Sequence, residues 1–136
     1  MGARIKTLQG QGLELTWWCP QLPPSPAQAM REVHETIAQW PRDRMAIIGS
    51  SLGGFYAAGL AEAFGCPAVG LNPAGVPARD LEKYIGEIEA WHSHERFYFR
   101  AEYVEELREM TPATLAHPER YFAVIAKGHE LLDWRE

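Results

Sequence analysis

The stretch that decides the fold is MAIIGSSLGGFYAAGLAEAF, residues 45–64. It opens with a short, nearly continuous apolar run of the kind that is buried on both faces of a parallel sheet. Residues 52–64 are rich in alanine and other small side chains and predict a helix, which Gly65 ends as a C-terminal glycine. A strand that feeds directly into a helix across a turn of glycines and serines is therefore predicted.

The turn between this strand and helix carries a Gly-x-Ser-x-Gly pattern formed by Gly49, Ser51 and Gly53. The pattern alone fixes only three positions, but its strand-turn-helix setting is the one that a nucleophile elbow requires. Side chains at Gly49 and Gly53 are expected to collide with the helix and the neighbouring strand. The turn aims the Ser51 hydroxyl at the loop end of the sheet, where the Leu52 amide and the helix N-terminus face a developing oxyanion. Ser51 is the predicted nucleophile of an acyl transfer.

Two other interpretations of this turn are a serine that serves only as a helix cap and a loop that cradles a phosphate. No lysine follows the glycines, which excludes a P-loop. Ser50 is not favoured as the nucleophile, because only Ser51 has glycines two positions before and after it.

Strands alternate with helices over the rest of the chain and predict a parallel sheet with helices on its faces. The class is α/β, a three-layer α/β/α sandwich with a mostly parallel sheet, as a single domain over residues 1–136. Residues 87–100 show no clean period and are interpreted as an excursion that forms a lid or substrate wall. The other predicted elements are strands at 13–19, 68–71 and 120–126, helices at 27–40 and 102–110, and a helix from 77 or 79 to about 85.

Composition excludes several classes of partner. The 136-residue chain is 46% hydrophobic with a net charge of -5, and it has no dense Lys/Arg cluster for a nucleic acid. No signal peptide and no apolar run of membrane-spanning length are present, so we expect a soluble protein without a membrane partner. Cys19 and Cys66 lie far apart and are expected to be reduced, buried thiols.

Several motifs in one order add a resemblance to a known family. These are PQLPPSP at 20–26, IIGSSLGGFYA at 47–57, LNPA at 71–74 and GHELLDWRE at 128–136. Together they resemble the small bacterial YqiA-like esterases, and the similarity covers most of the chain. The resemblance implies an α/β-hydrolase fold, hydrolysis of a small-molecule ester without a cofactor, and a cytoplasmic location.

The chain departs from that family at its beginning. Family members open with a strand that ends in a His-Gly-Phe turn and supplies the second oxyanion amide, and nothing before Leu13 resembles it. In the sheet order of the superfamily that strand lies between the predicted strands at 13–19 and 45–49. The resemblance therefore implies a gap in the middle of the sheet.

The catalytic acid and base also depart from the family pattern. His129 stands where family members carry the triad aspartate, and Asp133, four residues on, serves as an acid only if the loop shifts towards a histidine. The family's general base lies in a Gly-x-His turn beyond the position of Glu136, so the domain is expected to lack both the first strand and the histidine-bearing segment.

A serine needs a base within hydrogen-bond reach, so the remaining histidines are the candidates. His129 follows the last predicted strand at the same edge as the elbow, and a Ser51–His129 dyad is one hypothesis. His92 and His94 lie in the possible lid, whereas His34 and His117 are not favoured. No third ligand accompanies His92 and His94, so no metal site is predicted.

The function predicted from the sequence is a serine esterase-type hydrolase acting on a small carboxylic ester or thioester through Ser51. The alternative is a truncated or catalytically inactive homologue that acts as a binding or structural protein. A third class, a phosphate or acyl-group binding module without turnover, would bind its ligand through the helix N-terminus. Loss of a central strand would expose apolar edges, so a homo-oligomer is an expected state.

Overall fold

The computed structural model describes residues 6, 7, 9–89 and 96–127. Short 3-10 turns occupy Arg42–Arg44, Glu82–Tyr84 and Pro118–Arg120. The described helices are α1 (Pro26–Ile37), α2 (Leu52–Phe64), α3 (Pro77–Leu81) and α4 (Ala101–Met110). The described strands are β1 (Ile47–Ser50), β2 (Ala68–Leu71), β3 (Gly86–Glu89), β4 (Arg96–Phe99) and β5 (Tyr121–Val124).

A parallel sheet in the order β1-β2-β5 forms the centre of the fold. Its register aligns Ile47 with Ala68 and Ala68 with Tyr121. The crossover from β1 to β2 runs through α2, which ends at Gly65 in the left-handed conformation (φ 71°). The α/β class, the helix at 52–64 and the strand at 68–71 are confirmed, and the strands predicted at 45–49 and 120–126 begin and end within a few residues of the observed ones.

One face of this sheet is covered by α2. Ile47 and Tyr121 pack against a buried cluster to which α2 contributes four side chains: Ala57, Leu60, Ala61 and Phe64. On the opposite face Phe122 is 65% exposed and Ile48 is 39% exposed. The prediction that β1 is buried on both faces is therefore wrong for the described part of the chain, where no helix covers the face that carries Ile48 and Phe122.

The predicted strand at residues 13–19 is not formed. These residues pair with no described strand, and Leu13, Leu15, Trp17 and Trp18 are all exposed. Their composition favours a strand, but a strand is stable only where a neighbour completes its ladder of hydrogen bonds. The free edge of β1 is separated from residues 16–20 by a cavity, so that ladder is missing.

The excursion predicted at residues 87–100 contains an antiparallel hairpin. β3 pairs with β4, with Gly86 opposite Phe99. The aromatic residues at 97–99 favour a strand, although residues 87–100 show neither a helical nor a strand period in their hydrophobic pattern. His92 and His94, predicted as lid residues, lie outside the described residues.

The two cysteines differ in exposure. Cys66 is fully buried, and burial raises the pKa of its thiol, whereas Cys19 is exposed, so its predicted burial is wrong. We expect a maleimide to modify one thiol of the folded protein and both thiols in denaturant, since reaction requires an accessible thiolate. Intact mass and peptide mapping will assign the modified residue. Modification of Cys66 in the folded protein, or protection of Cys19, would contradict this arrangement.

Candidate active site

The elbow consists of one residue between a strand and a helix. β1 ends at Ser50 and α2 begins at Leu52, and the intervening Ser51 has φ 53° and ψ -122°. A positive φ is uncommon for a residue with a Cβ atom and persists only where surrounding contacts hold it. The Ser51 amide donates to the Leu71 carbonyl (3.1 Å), and the Ser51 carbonyl accepts from the amides of Gly54 (2.9 Å) and Ala74 (3.0 Å). The predicted sharp turn is confirmed, and the backbone of β2 and its following loop holds it in place.

The Ser51 hydroxyl makes no hydrogen bond to the backbone of α2, the helix that follows it. Ser25, at the N-terminus of α1, accepts a hydrogen bond from the Gln28 amide at 3.1 Å, as a capping serine does. Ser51 makes no such bond to α2 and is exposed. Ser51 thus occupies the N-cap position of α2, but its side chain does not cap the helix.

The glycines around the serine have different roles. A Cβ atom at Gly49 would lie 2.7 Å from the Gly54 nitrogen and closer still to the Gly53 carbonyl, so the predicted collision is confirmed there. At Gly53 the prediction is wrong, because a Cβ atom would meet nothing within 4 Å. Gly54, which the pattern did not include, is constrained instead: its Cβ atom would lie 2.7 Å from the Cβ of Pro73.

The N-terminus of α2 leaves the Leu52 amide without an acceptor among the described residues. The Gly54 and Phe55 amides donate to the Ser51 carbonyl, at 2.9 and 3.4 Å. The Leu52 amide, the predicted oxyanion donor, donates to no acceptor among the described residues. The first amides of a helix lack intrahelical partners and carry the positive end of its dipole. The Leu52 amide is thus available to an anion formed beside Ser51.

Two hydrogen bonds of Asn72, one from its backbone and one to its side chain, connect the end of β2 with the end of β5 and the residues after it. The Asn72 amide donates to the Val124 carbonyl (2.8 Å), and the Asn72 Oδ1 accepts from the Ala126 amide (2.7 Å). The segment after β5 therefore starts at the same edge of the sheet as Ser51, as predicted. His129 and Asp133, which follow on that segment, lie outside the described residues.

In the described part of the chain, no general base is hydrogen-bonded to Ser51. His34 packs on the Phe64 ring with centroids 4.7 Å apart, and His117 is bonded to the Glu119 carboxylate at 3.0 Å. Burial, reinforced by the charge of Glu106, raises the pKa of Tyr56, so that phenol stays protonated. Residues 6, 7, 9–89 and 96–127 also contain no cluster of three side chains that could hold a metal ion.

A cavity of about 280 Å³ lies along the free edge of β1. The Ile47 and Ser51 amides both donate towards β2, to Pro67 and Leu71. Because successive residues of a strand point their backbone groups to alternate sides, those of Ile48 and Ser50 face the cavity. The opposite wall is formed by residues 16–20.

A second cavity, of about 370 Å³, lies on the other side of α2. Its wall includes Gly54 and Phe55 from the first turns of α2 and residues 73–75, which follow β2. Residues 110–115 close it from the C-terminal end of α4. Most of its named lining residues are apolar or glycine, so it suits an apolar group.

The family model described as Uncharacterised protein family (UPF0227) matches residues 4–136. The match includes the elbow, the Leu71-Asn72-Pro73-Ala74 turn and the C-terminal tail that carries His129. No helix in the described part of the chain has the length and apolar character that crossing a bilayer requires.

Proposed function

We propose that this chain, which belongs to the uncharacterised protein family UPF0227, is a serine hydrolase of the esterase type. The observation that carries the proposal is the position of Ser51: exposed, uncapped and held at positive φ between a parallel strand and a helix. The motifs that resemble the YqiA-like esterases support the same function. That resemblance also favours a cytoplasmic location.

In the proposed reaction the Ser51 oxygen attacks the carbonyl carbon of a small carboxylic ester or thioester. A base takes the hydroxyl proton, and the carbonyl oxygen becomes an oxyanion that accepts a hydrogen bond from the Leu52 amide. The intermediate collapses to an acyl-serine, and the alcohol or thiol leaves with the proton. Water then attacks the acyl-serine, which releases the carboxylic acid and restores the Ser51 hydroxyl. None of these steps requires a cofactor.

The base in this proposal is His129, with Asp133 as the acid. Both residues follow β5 in the chain. The hydrogen bonds of Asn72 to Val124 and Ala126 hold the start of the segment after β5 at the edge of the sheet where Ser51 lies. His129 follows Ala126 by three residues, which span at most about 10 Å of extended chain. The apolar cavity beside Gly54 and Phe55 would take the acyl part of the substrate.

Active-site labelling tests the proposal. A fluorophosphonate probe is expected to modify the folded protein at Ser51, and a short p-nitrophenyl ester is expected to be hydrolysed. Ser51→Ala should abolish both, since the Ser51 oxygen forms the acyl intermediate in the proposed reaction. Ser50→Ala is the matched control, because it removes the neighbouring hydroxyl and leaves the elbow intact. Labelling that persists in Ser51→Ala, or that is lost only in Ser50→Ala, would exclude Ser51 as the nucleophile.

An inactive binding or structural homologue is the second candidate, and the exposed face of the sheet favours it. Phe122 and Val124 present apolar side chains there, and such a face commonly mediates association. This candidate predicts a self-associated protein whose Ser51 remains unlabelled. Sedimentation analysis combined with probe labelling separates it from the hydrolase. A ligand-binding module without turnover predicts instead that binding survives Ser51→Ala.

A further inference from the structure

Asn72 has an unusual backbone for a residue with a side chain. It directly follows β2 with φ 43°, and Ser51 is the other described non-glycine residue with positive φ. Glycine adopts this conformation without steric cost, whereas asparagine tolerates it at some cost. A residue kept in such a conformation points to a contact that its side chain makes.

That contact is the bond between the Asn72 Oδ1 and the Ala126 amide, at 2.7 Å across 54 residues of sequence. The Asn72 amide adds a second bond, to the Val124 carbonyl at 2.8 Å. Together they hold Val124, the last residue of β5, and Ala126, two residues beyond it. The ladder between β2 and β5 pairs Leu71 with Val124, so the Asn72 side chain extends the pairing beyond the last residues of both strands.

The same short segment holds Ser51. Leu71, just before Asn72, accepts from the Ser51 amide at 3.1 Å, and Ala74, two residues after it, donates to the Ser51 carbonyl at 3.0 Å. Asn72 thus lies between the two residues that fix the backbone of the nucleophile. Its side chain is directed instead at the segment that follows β5.

We propose that Asn72 is a positioning residue, whose side-chain bond to the Ala126 amide fixes the segment after β5 relative to the Ser51 elbow. This inference rests on the proposed function. The position of the residues after β5 matters for catalysis only if the base that acts on Ser51 follows them in the chain. A turn that only reverses the chain would be served equally well by glycine.

Two variants separate the side-chain bond from the backbone conformation. Asn72→Gly keeps the positive φ and removes the acceptor. Asn72→Asp keeps an oxygen at the same place. Hydrogen exchange of the Ala126 amide, followed by NMR, reports the bond itself, and the rate of fluorophosphonate labelling reports the reactivity of Ser51.

We expect Asn72→Gly to stay folded, with exchange of the Ala126 amide accelerated about tenfold and labelling of Ser51 slowed by a similar factor. Asn72→Asp should restore both rates to within about threefold of the original protein. Unchanged exchange in Asn72→Gly would overturn the proposal. Equal slowing of Ser51 labelling in Asn72→Gly and Asn72→Asp would also overturn it, because it would show that the acceptor oxygen does not matter.

The failure of this inference can be told from the failure of the proposed function. If Ser51 of the original protein is not labelled at all, the hydrolase proposal fails. Hydrogen exchange of the Ala126 amide in Asn72→Gly then still tests whether the Asn72 side chain holds the residues after β5. If Ser51 is labelled and Asn72→Gly reacts at the original rate, the hydrolase stands and Asn72 has no positioning role.

Discussion

Gly49→Ala is expected to lower the free energy of unfolding by about 3 kcal/mol or more. The new Cβ atom would lie 2.7 Å from the Gly54 nitrogen and closer still to the Gly53 carbonyl. These are backbone atoms at the start of α2, so no side-chain rotation relieves the contact, and the helix must move away from the strand. Urea denaturation followed by circular dichroism measures the change, and labelling of Ser51 should be lost with it.

Gly53→Ala is the matched control for Gly49→Ala. A Cβ atom there meets nothing within 4 Å, and residue 53 is part of α2, where alanine is favoured over glycine. We expect an increase in the free energy of unfolding of up to about 1 kcal/mol. Equal destabilisation by the two variants would show that the close approach of β1 and α2 at Gly49 is not the cause of the destabilisation by Gly49→Ala.

Ser51→Gly should abolish labelling and hydrolysis and at the same time stabilise the protein. A residue with a Cβ atom at φ 53° carries strain of roughly 1–3 kcal/mol, which glycine relieves, while the greater freedom of glycine in the unfolded chain returns about 0.5–1 kcal/mol. The net expectation is a gain of about 1 kcal/mol in the free energy of unfolding. We therefore expect the proposed activity and the stability to change in opposite directions at this residue.

Ser51→Ala is the comparison that isolates the strain. It removes the hydroxyl, which bonds to no described residue, but keeps the Cβ atom, so we expect its stability to stay within about 0.5 kcal/mol of the original protein. Thermal and urea denaturation of the three proteins, at one pH and salt concentration, provide the test. If the glycine variant is no more stable than the alanine variant, the elbow is not strained in solution.

The elbow could be predicted from sequence because its causes are local. Small residues from position 52 onward, Gly65 at the helix end and the apolar run before Gly49 specify a strand, a turn and a helix through backbone preferences alone. The boundaries of α2 and β2 agree with that prediction. The role of Gly54 was missed because it depends on the approach of Pro73, a contact between segments distant in sequence.

The strand predicted at residues 13–19 shows the limit of the same reasoning. Its apolar and aromatic side chains favour a strand, yet whether a strand forms is decided by a neighbour that offers backbone partners. In the described structure that neighbour is absent and a cavity separates residues 16–20 from β1. Exposure of Cys19 follows from the same cause.

The chain by itself determined the β1-α2-β2 unit, the parallel sheet and Ser51 as the candidate nucleophile, because each follows from periodicity, turn chemistry or glycine spacing within a short stretch. Tertiary structure alone decided which face of the sheet is covered, that Gly54 rather than Gly53 has no room for a side chain, and that Asn72 is bonded to the end of β5. These depend on distances between segments up to 54 residues apart, which no local preference encodes.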